Sequence, residues 1–117
     1  MRHSMTDTTS KTKLAAIDHV AIPVTDVESS VKWYTSQFNC NIEYQDDTWA
    51  FLAFENIKLA LVVTHQHPPH LAFVSPHAES YGQLKTHRDG SRSIYIKDPA
   101  GNAVEIVAED SVPKNGG

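Results

Sequence analysis

The first half of the chain shows a strand pattern of apolar residues followed by a helical pattern. Residues 17–24 (IDHVAIPV) are apolar except for Asp18 and His19, which predicts a strand buried on both faces. Thr25 and Glu28 have the spacing of a capping box, which predicts that a helix begins there. Apolar side chains at helical spacing predict that this helix continues to about residue 38: Val27, Val31, Tyr34 and Phe38.

Three short apolar runs follow this helix. They cover residues 41–44, 48–54 and 57–63, and turn-forming residues separate them at 46–47 and 55–56. Strands joined by hairpins are expected here. The first half therefore has the order strand, helix and three strands.

The second half repeats this order in a shorter form. Residues 70–74 (HLAFV) predict a strand, and Ser75 followed by Pro76 predicts a helix of about two turns over residues 78–85. Two further strands, joined by the turn-forming sequence DPAGN, are predicted at residues 92–97 and 103–108. We therefore predict an α+β fold of paired βαβββ modules, of which the second is abbreviated.

Length and composition limit the domain organisation and the class of partner. The chain has 117 residues, 40% apolar and 21% charged, as expected for one soluble domain, which we place at residues 14–110. Residues 1–13 are predicted to be a disordered segment and residues 111–117 a tail. A net charge of −4 supplies no basic surface for nucleic acid. Neither a membrane span nor a signal peptide is recognisable, so we expect a cytoplasmic protein.

Strand alternation places three polar side chains beside alanines on one face of the predicted sheet. The residues that share a face within a strand are His19 with Ala21, His70 with Ala72, and Glu105 with Ala103. The opposite face carries the bulky apolar residues and is expected to form the core, so the polar face is expected to line a cup. Further residues predicted to face this cup are Ser93, Tyr95 and Lys97, with Trp49 or Phe51 as its apolar wall.

His19, His70 and Glu105 each interrupt a strand that otherwise consists of core residues. A polar group buried in such a strand lowers the stability of the folded state by several kcal/mol unless it is hydrogen-bonded or coordinates a metal. One divalent metal ion would satisfy all three, because two imidazoles and a carboxylate suit zinc, nickel, manganese or iron(II). The alternative is that both histidines are hydrogen-bonded core residues and that Glu105 faces solvent on an edge strand.

Residues 18–34, 70–74 and 92–107 resemble the vicinal oxygen chelate superfamily. This superfamily includes glyoxalase I, fosfomycin-resistance thiol transferases, extradiol dioxygenases and bleomycin-resistance proteins. The resemblance implies that paired βαβββ modules form a cupped mixed sheet around a metal. It also implies that His19 and His70 bind the metal from the first strands of the two modules and Glu105 from the last strand of the chain.

The resemblance also bears on the substrate and on the assembly. Residues 57–63 lack the fourth ligand expected of a protein similar to glyoxalase I, and the remaining triad resembles that of fosfomycin transferases and extradiol dioxygenases. Ser93 and Tyr95 fall where the fosfomycin enzymes contact substrate, and Tyr95 is a candidate donor or acid beside Glu105. Arg92 is a candidate for holding an anionic group. The short stretch 74–92 suggests that a homodimer partner completes one wall of the cup.

These observations favour a small metal-dependent enzyme, a lyase, isomerase, thiol transferase or dioxygenase acting on a small oxygen-containing substrate. The alternative is a dimeric binding protein that sequesters a flat or cationic molecule without catalysis. An accessory subunit completed by another protein is a third possibility. The remaining histidines of the second half are expected to be solvated surface residues: His65, His67, His77 and His87. A second metal site formed by His65 and His67 is the alternative for those two residues.

Overall fold

The computed structural model of the protein describes residues 13–112. The first module contains β1 (Ala16–Pro23), α1 (Val27–Gln37), β2 (Asn41–Gln45), β3 (Trp49–Ala53) and β4 (Lys58–Val62). The second contains β5 (His70–Ser75), a 3₁₀ turn (Ala78–Tyr81), β6 (Lys85–Thr86), β7 (Arg92–Lys97) and β8 (Ala103–Ala108). A further 3₁₀ turn (Glu109–Ser111) follows β8. Residues 1–12 and 113–117 of the predicted terminal segments lie outside the described residues.

The two modules share one curled mixed sheet. Its strand order is β2-β3-β4-β1-β5-β8-β7-β6, so the first strands of the two modules are neighbours at its centre. β1 pairs parallel with β4, and β5 pairs parallel with β8. β1 and β5 pair antiparallel with each other. The predicted α+β fold of paired modules with an abbreviated second module is confirmed.

The helix α1 begins one residue later than the capping-box pattern predicts. Asp26, not Thr25, is the N-cap residue, and its side chain accepts a hydrogen bond of 2.9 Å from the backbone N–H of Ser29. A carboxylate at this position also interacts favourably with the positive end of the helix dipole. The helix ends at Gln37, with Phe38 just outside it.

The helix predicted over residues 78–85 is wrong. Only one 3₁₀ turn forms at Ala78–Tyr81, and the chain then enters β6 at Lys85. Gly82 ends the turn with a φ of 144°, a conformation that side-chain-bearing residues rarely adopt. A Cβ atom at this position would lie 2.6 Å from Cδ1 of Ile94, so the turn packs tightly on β7.

The two faces of the sheet differ as strand alternation predicts. On the outer face α1 contributes Val27 and Val31 to a core that also contains Ala50, Leu52 and Leu61. The cup face carries a second apolar cluster, composed of Ala21, Phe51, Ala60 and Val62. Among residues 13–112, no helix has the length and apolar character that a membrane crossing requires.

Candidate metal centre

His19, His70 and Glu105 converge on the cup face from three adjacent strands. His19 lies on β1, His70 on β5 and Glu105 on β8, and all three are at most 9% exposed. The two Nε2 atoms are 3.0 Å apart. Oε1 of Glu105 is 3.1 Å from Nε2 of His19 and 2.9 Å from Nε2 of His70. The three potential ligand atoms thus form a nearly equilateral triangle.

Hydrogen bonds on the far side of each imidazole determine which ring nitrogen carries the proton. Nδ1 of His19 lies 2.7 Å from a carboxylate oxygen of Asp18, and Nδ1 of His70 lies 2.7 Å from the carbonyl oxygen of Pro68. Both oxygens only accept, so each Nδ1 must donate its proton. In the neutral rings both Nε2 atoms therefore present lone pairs to each other and to Glu105.

Three acceptors without a donor fit a divalent cation. Ligand atoms at right angles around an ion at about 2.1 Å must be about 3.0 Å apart, which is the observed spacing. Ligating histidines in proteins usually donate their other N–H to a carboxylate or a backbone carbonyl, as His19 and His70 do here. The residues present fit a site of two histidines and one carboxylate.

The charges within the cluster favour its ionised forms. Burial alone would raise the pKa of Glu105, but the imidazoles of His19, His70 and His87, which donate to it in their protonated forms, hold that pKa far below its usual range. Burial alone would lower the pKa of His19, yet the carboxylates of Asp18 and Glu105 raise it because they stabilise the protonated ring. A fixed negative charge at the centre therefore stabilises positive charge between the three residues.

The second carboxylate oxygen of Glu105, Oε2, has its own contacts on the side away from His19 and His70. The Ser93 hydroxyl, 1% exposed, donates a hydrogen bond of 2.5 Å to Oε2 of Glu105. Nε2 of His87 lies 2.6 Å from that hydroxyl oxygen and 3.4 Å from Oε2 itself. Because Ser93 uses its proton on the carboxylate, His87 is the donor to Ser93. Ser93 therefore orients Glu105 and is not among the residues that line the cavity described next.

A small cavity opens above the triad. Its walls include Trp49, Phe51, Ala60, Val62, His67 and Tyr95. Phe51 meets the His19 ring edge-on with ring centroids 4.7 Å apart, and Trp49 meets Phe51 at 4.9 Å. The predicted apolar wall thus involves both aromatic residues. Open space, aromatic surface and a few convergent polar groups are the usual composition of a small-molecule site.

Two predicted substrate-binding residues have different positions. The Tyr95 hydroxyl lies at the cavity, 3.5 Å from Nε2 of His70. Burial and the negative charge of Glu105 both raise the pKa of Tyr95, so the phenol stays protonated. Arg92 does not reach the cavity: it precedes Ser93 on β7 and forms an ion pair with Asp110. Alternation along β7 accounts for this difference, because neighbouring residues face opposite sides.

The family model of the Glyoxalase/Bleomycin resistance protein/Dioxygenase superfamily matches residues 16–82. The chain belongs to this superfamily. The comparison with curated proteins found no match to the chain. The sequence prediction of a vicinal oxygen chelate protein is therefore confirmed at the level of the superfamily.

Solved structures show the same fold. A variant of methylmalonyl-CoA epimerase from Streptomyces coelicolor, in complex with 2-nitronate-propionyl-CoA, is 17% identical with a TM-score of 0.70 over 87% of this chain and 99% of that chain. A hypothetical protein from Bacillus halodurans is 14% identical, with a TM-score of 0.63 over 88% and 100%. A glyoxalase superfamily member from Vibrio splendidus is 9% identical, with a TM-score of 0.55 over 81% and 99%.

In this glyoxalase superfamily protein, the last strand of the first module adds no ligand to the triad. The residues of β4 on the cup face are Lys58, Ala60 and Val62, and Ala60 pairs with Ala21 beside the triad. The Lys58 ammonium lies instead 3.7 Å from Asp18 and 3.8 Å from Glu43. Among the described residues, the group able to hold a metal consists of His19, His70 and Glu105.

Three residues of the site were not predicted from the sequence. Asp18 would face away from His19 in a regular strand, but a register shift between Ile17 and His19 brings its carboxylate to the same imidazole. His67 and His87 were expected to be solvated, whereas His67 lines the cavity and His87 contacts Ser93. No local pattern signals these contacts, because each depends on the path of a loop or on a bulge.

Proposed function

We propose that this protein is a metal-dependent enzyme that acts on a small oxygen-containing substrate. The observation that carries the proposal is the convergence of three ligand atoms at 2.9–3.1 Å beside a cavity, which are all acceptors when both imidazoles are neutral. His19, His70 and Glu105 would hold the metal. A bound divalent ion would supply Lewis acidity toward substrate oxygen atoms and stabilise developing negative charge on them.

The protein's own residues would bind and orient the substrate. Trp49 and Phe51 offer an aromatic wall for its apolar part. The protonated Tyr95 hydroxyl, near His70, would donate a hydrogen bond to an oxygen of the substrate or of its leaving group. Methylmalonyl-CoA epimerase has the same fold, which supports catalysis as one use of this fold.

Metal analysis of the purified protein tests the proposal. Protein prepared without a histidine tag should bind about one divalent ion per chain, and the His19→Ala variant should bind none. His77→Ala, which removes an exposed histidine, is the matched control and should retain the ion. Equal metal in the wild type and in His19→Ala would contradict the ligand assignment.

Oxygen consumption separates the candidate reactions. Ring-opening oxygenation requires iron(II) and oxygen uptake, whereas lyase, isomerase or thiol-transfer chemistry runs with nickel, manganese or zinc and no oxygen uptake. A protein that only sequesters a ligand would keep its ligand affinity in His70→Ala. Retained affinity in that variant, with no turnover under either condition, would favour the binding protein over the enzyme.

We also propose that two copies associate through the outer face of the central strands, which differs from the expectation from sequence that the partner completes a wall of the cup. Ile17 and Leu71 lie on this face, on β1 and β5, and are 43% and 42% exposed. On this face the first module carries the helix α1, whereas the second module carries only a 3₁₀ turn. Sedimentation should show a homodimer for the wild type and a monomer for Leu71→Glu. A wild-type monomer would contradict this assembly.

A further inference from the structure

The hairpin loop between β6 and β7, residues 87–91, connects the triad to the opposite edge of the sheet. β6 and β2 are the two edge strands, yet Nη1 of Arg88 lies 2.5 Å from Oδ2 of Asp46 in the hairpin after β2. The preceding residue, His87, contacts Ser93 at 2.6 Å. Two consecutive side chains of one loop thus reach opposite sides of the cup.

Hydrogen bonds within the loop keep these two side chains in a defined relation. The backbone N–H of His87 donates to the carbonyl of Ser91 at 2.8 Å, and the N–H of Gly90 donates to the carbonyl of His87 at 3.0 Å. Oδ1 of Asp89 accepts from the N–H of Ser91 at 3.0 Å and from its hydroxyl at 2.7 Å. Displacement of Arg88 would therefore also displace His87.

Asp46 provides a fixed anchor for Arg88. Its Oδ1 accepts hydrogen bonds from the backbone N–H of Thr48 at 2.7 Å and of Trp49 at 3.0 Å, and its Oδ2 accepts from the Tyr44 hydroxyl at 2.5 Å. The Thr48 hydroxyl also donates to Oδ1, at 2.8 Å. A carboxylate held by four donors in its own hairpin has little freedom to follow a moving partner. The ion pair with Arg88 consequently restrains the loop and leaves the anchor in place.

We propose that His87 is a positioning residue for Glu105, and that the ion pair of Arg88 with Asp46 keeps His87 in position. The inference rests on the proposed metal centre, and it assigns to this loop the orientation of the carboxylate ligand. His87 donates to Ser93, Ser93 donates to Oε2 of Glu105, and Oε1 is thereby aimed at the two imidazoles. Groups that hold a ligand in this way typically change metal affinity about 10- to 100-fold when removed.

Zinc affinity, measured by competition with a chromogenic chelator, tests the proposal. His87→Leu should lower the affinity about 10- to 100-fold, and His87→Gln, which keeps a donor N–H, should restore most of it. His77→Leu removes an exposed histidine and should leave the affinity unchanged. Ser93→Ala should reproduce the loss, because Ser93 is the contact between His87 and Glu105. His87→Ala replaces His87→Leu if that variant does not fold. Wild-type affinity in the folded His87 variant would overturn the proposal.

A double-mutant cycle tests the second part, since Arg88 touches no ligand. Arg88→Gln should weaken zinc binding about 3- to 10-fold in the wild type and have no further effect in His87→Leu, because both act through one contact chain. Equal losses from Arg88→Gln in the two backgrounds would overturn this coupling. If wild-type protein binds neither zinc nor nickel, manganese or iron(II), the proposed function fails together with the inference. If zinc binding depends on His19 but not on His87, only the inference fails.

Discussion

The Nε2 atoms of His19 and His70 lie 3.0 Å apart, although in the neutral rings neither atom carries a proton to place between them. Each ring uses its proton at Nδ1, on Asp18 or on the Pro68 carbonyl. The negative charge of Glu105 adds a third acceptor at the same point. The fold thus holds together a group of atoms that repel one another until a cation binds.

Metal binding should therefore stabilise the folded protein. At a free zinc concentration of 100 times Kd, binding to the folded state alone contributes about 2.7 kcal/mol. For a domain of this size that corresponds to a rise in Tm of about 10–20 °C. Thermal unfolding with zinc and with a chelator measures the difference. His70→Ala should show the same Tm in both conditions, and a zinc-dependent rise in that variant would contradict the assignment.

Asp18 should matter for metal affinity although it does not face the metal position. It fixes the ring orientation of His19 and the proton on Nδ1. Asp18→Ala should lower zinc affinity about tenfold in a chelator competition assay. Asp47→Ala, which removes an exposed carboxylate from a neighbouring hairpin, is the matched control. An equal small change in both variants would indicate a general charge effect in place of an effect on His19.

The triad could be predicted from sequence because strand alternation is a local property. His19, His70 and Glu105 stand out as polar residues among core residues, and alternation alone assigns them to one face with Ala21, Ala72 and Ala103. The resemblance of residues 92–107 added the expectation that these faces converge. The 3.0 Å spacing of the ligand atoms depends on the register in which β1, β5 and β8 pair. This register cannot be predicted from the local sequence pattern.

Two predictions were wrong, the helix over residues 78–85 and the solvent exposure of His87, because both depend on tertiary contacts. Ser75-Pro76 is a good helix start, but Gly82 and its close packing on Ile94 end the 3₁₀ turn before a helix can form. His87 looks like an exposed loop residue until the hairpin 87–91 folds back over Ser93. In the first case, tertiary contacts override the local preference for a helix. In the second, the fold of the hairpin brings His87 into contact with Ser93.

A mutation in the core under α1 should lower the stability of the protein without abolishing zinc binding in the cup. Leu52 is fully buried against α1, whereas its neighbour Phe51 faces the cup. Leu52→Ala should lower the free energy of unfolding by about 2–5 kcal/mol, measured in urea, and the folded variant should still bind zinc. Leu14→Ala, at a 91% exposed position, should cost far less. Loss of zinc binding by folded Leu52→Ala would contradict this separation of the two faces.

Asp46 should contribute stability that depends on pH. Burial alone would raise its pKa, but hydrogen bonds from Tyr44, Thr48 and Trp49 hold the pKa below its ordinary value of 3.8. A pKa lowered by folding stabilises the protein above the unfolded value and loses this contribution as pH falls through the folded value. Asp46→Asn should therefore be less stable than the wild type by about 1.5 kcal/mol at pH 7.

Urea unfolding at several pH values checks this expectation for Asp46. The difference between wild type and Asp46→Asn should be constant from pH 7 to about pH 5 and should shrink as pH falls below about 4, because only the wild-type carboxylate becomes protonated there. Asp47→Asn, at an exposed position, should match the wild type throughout. A difference that persists unchanged at pH 2–3 would show that Asp46 acts through its shape, since protonation of the carboxylate in the unfolded chain must reduce the advantage of a charged acceptor in the folded one.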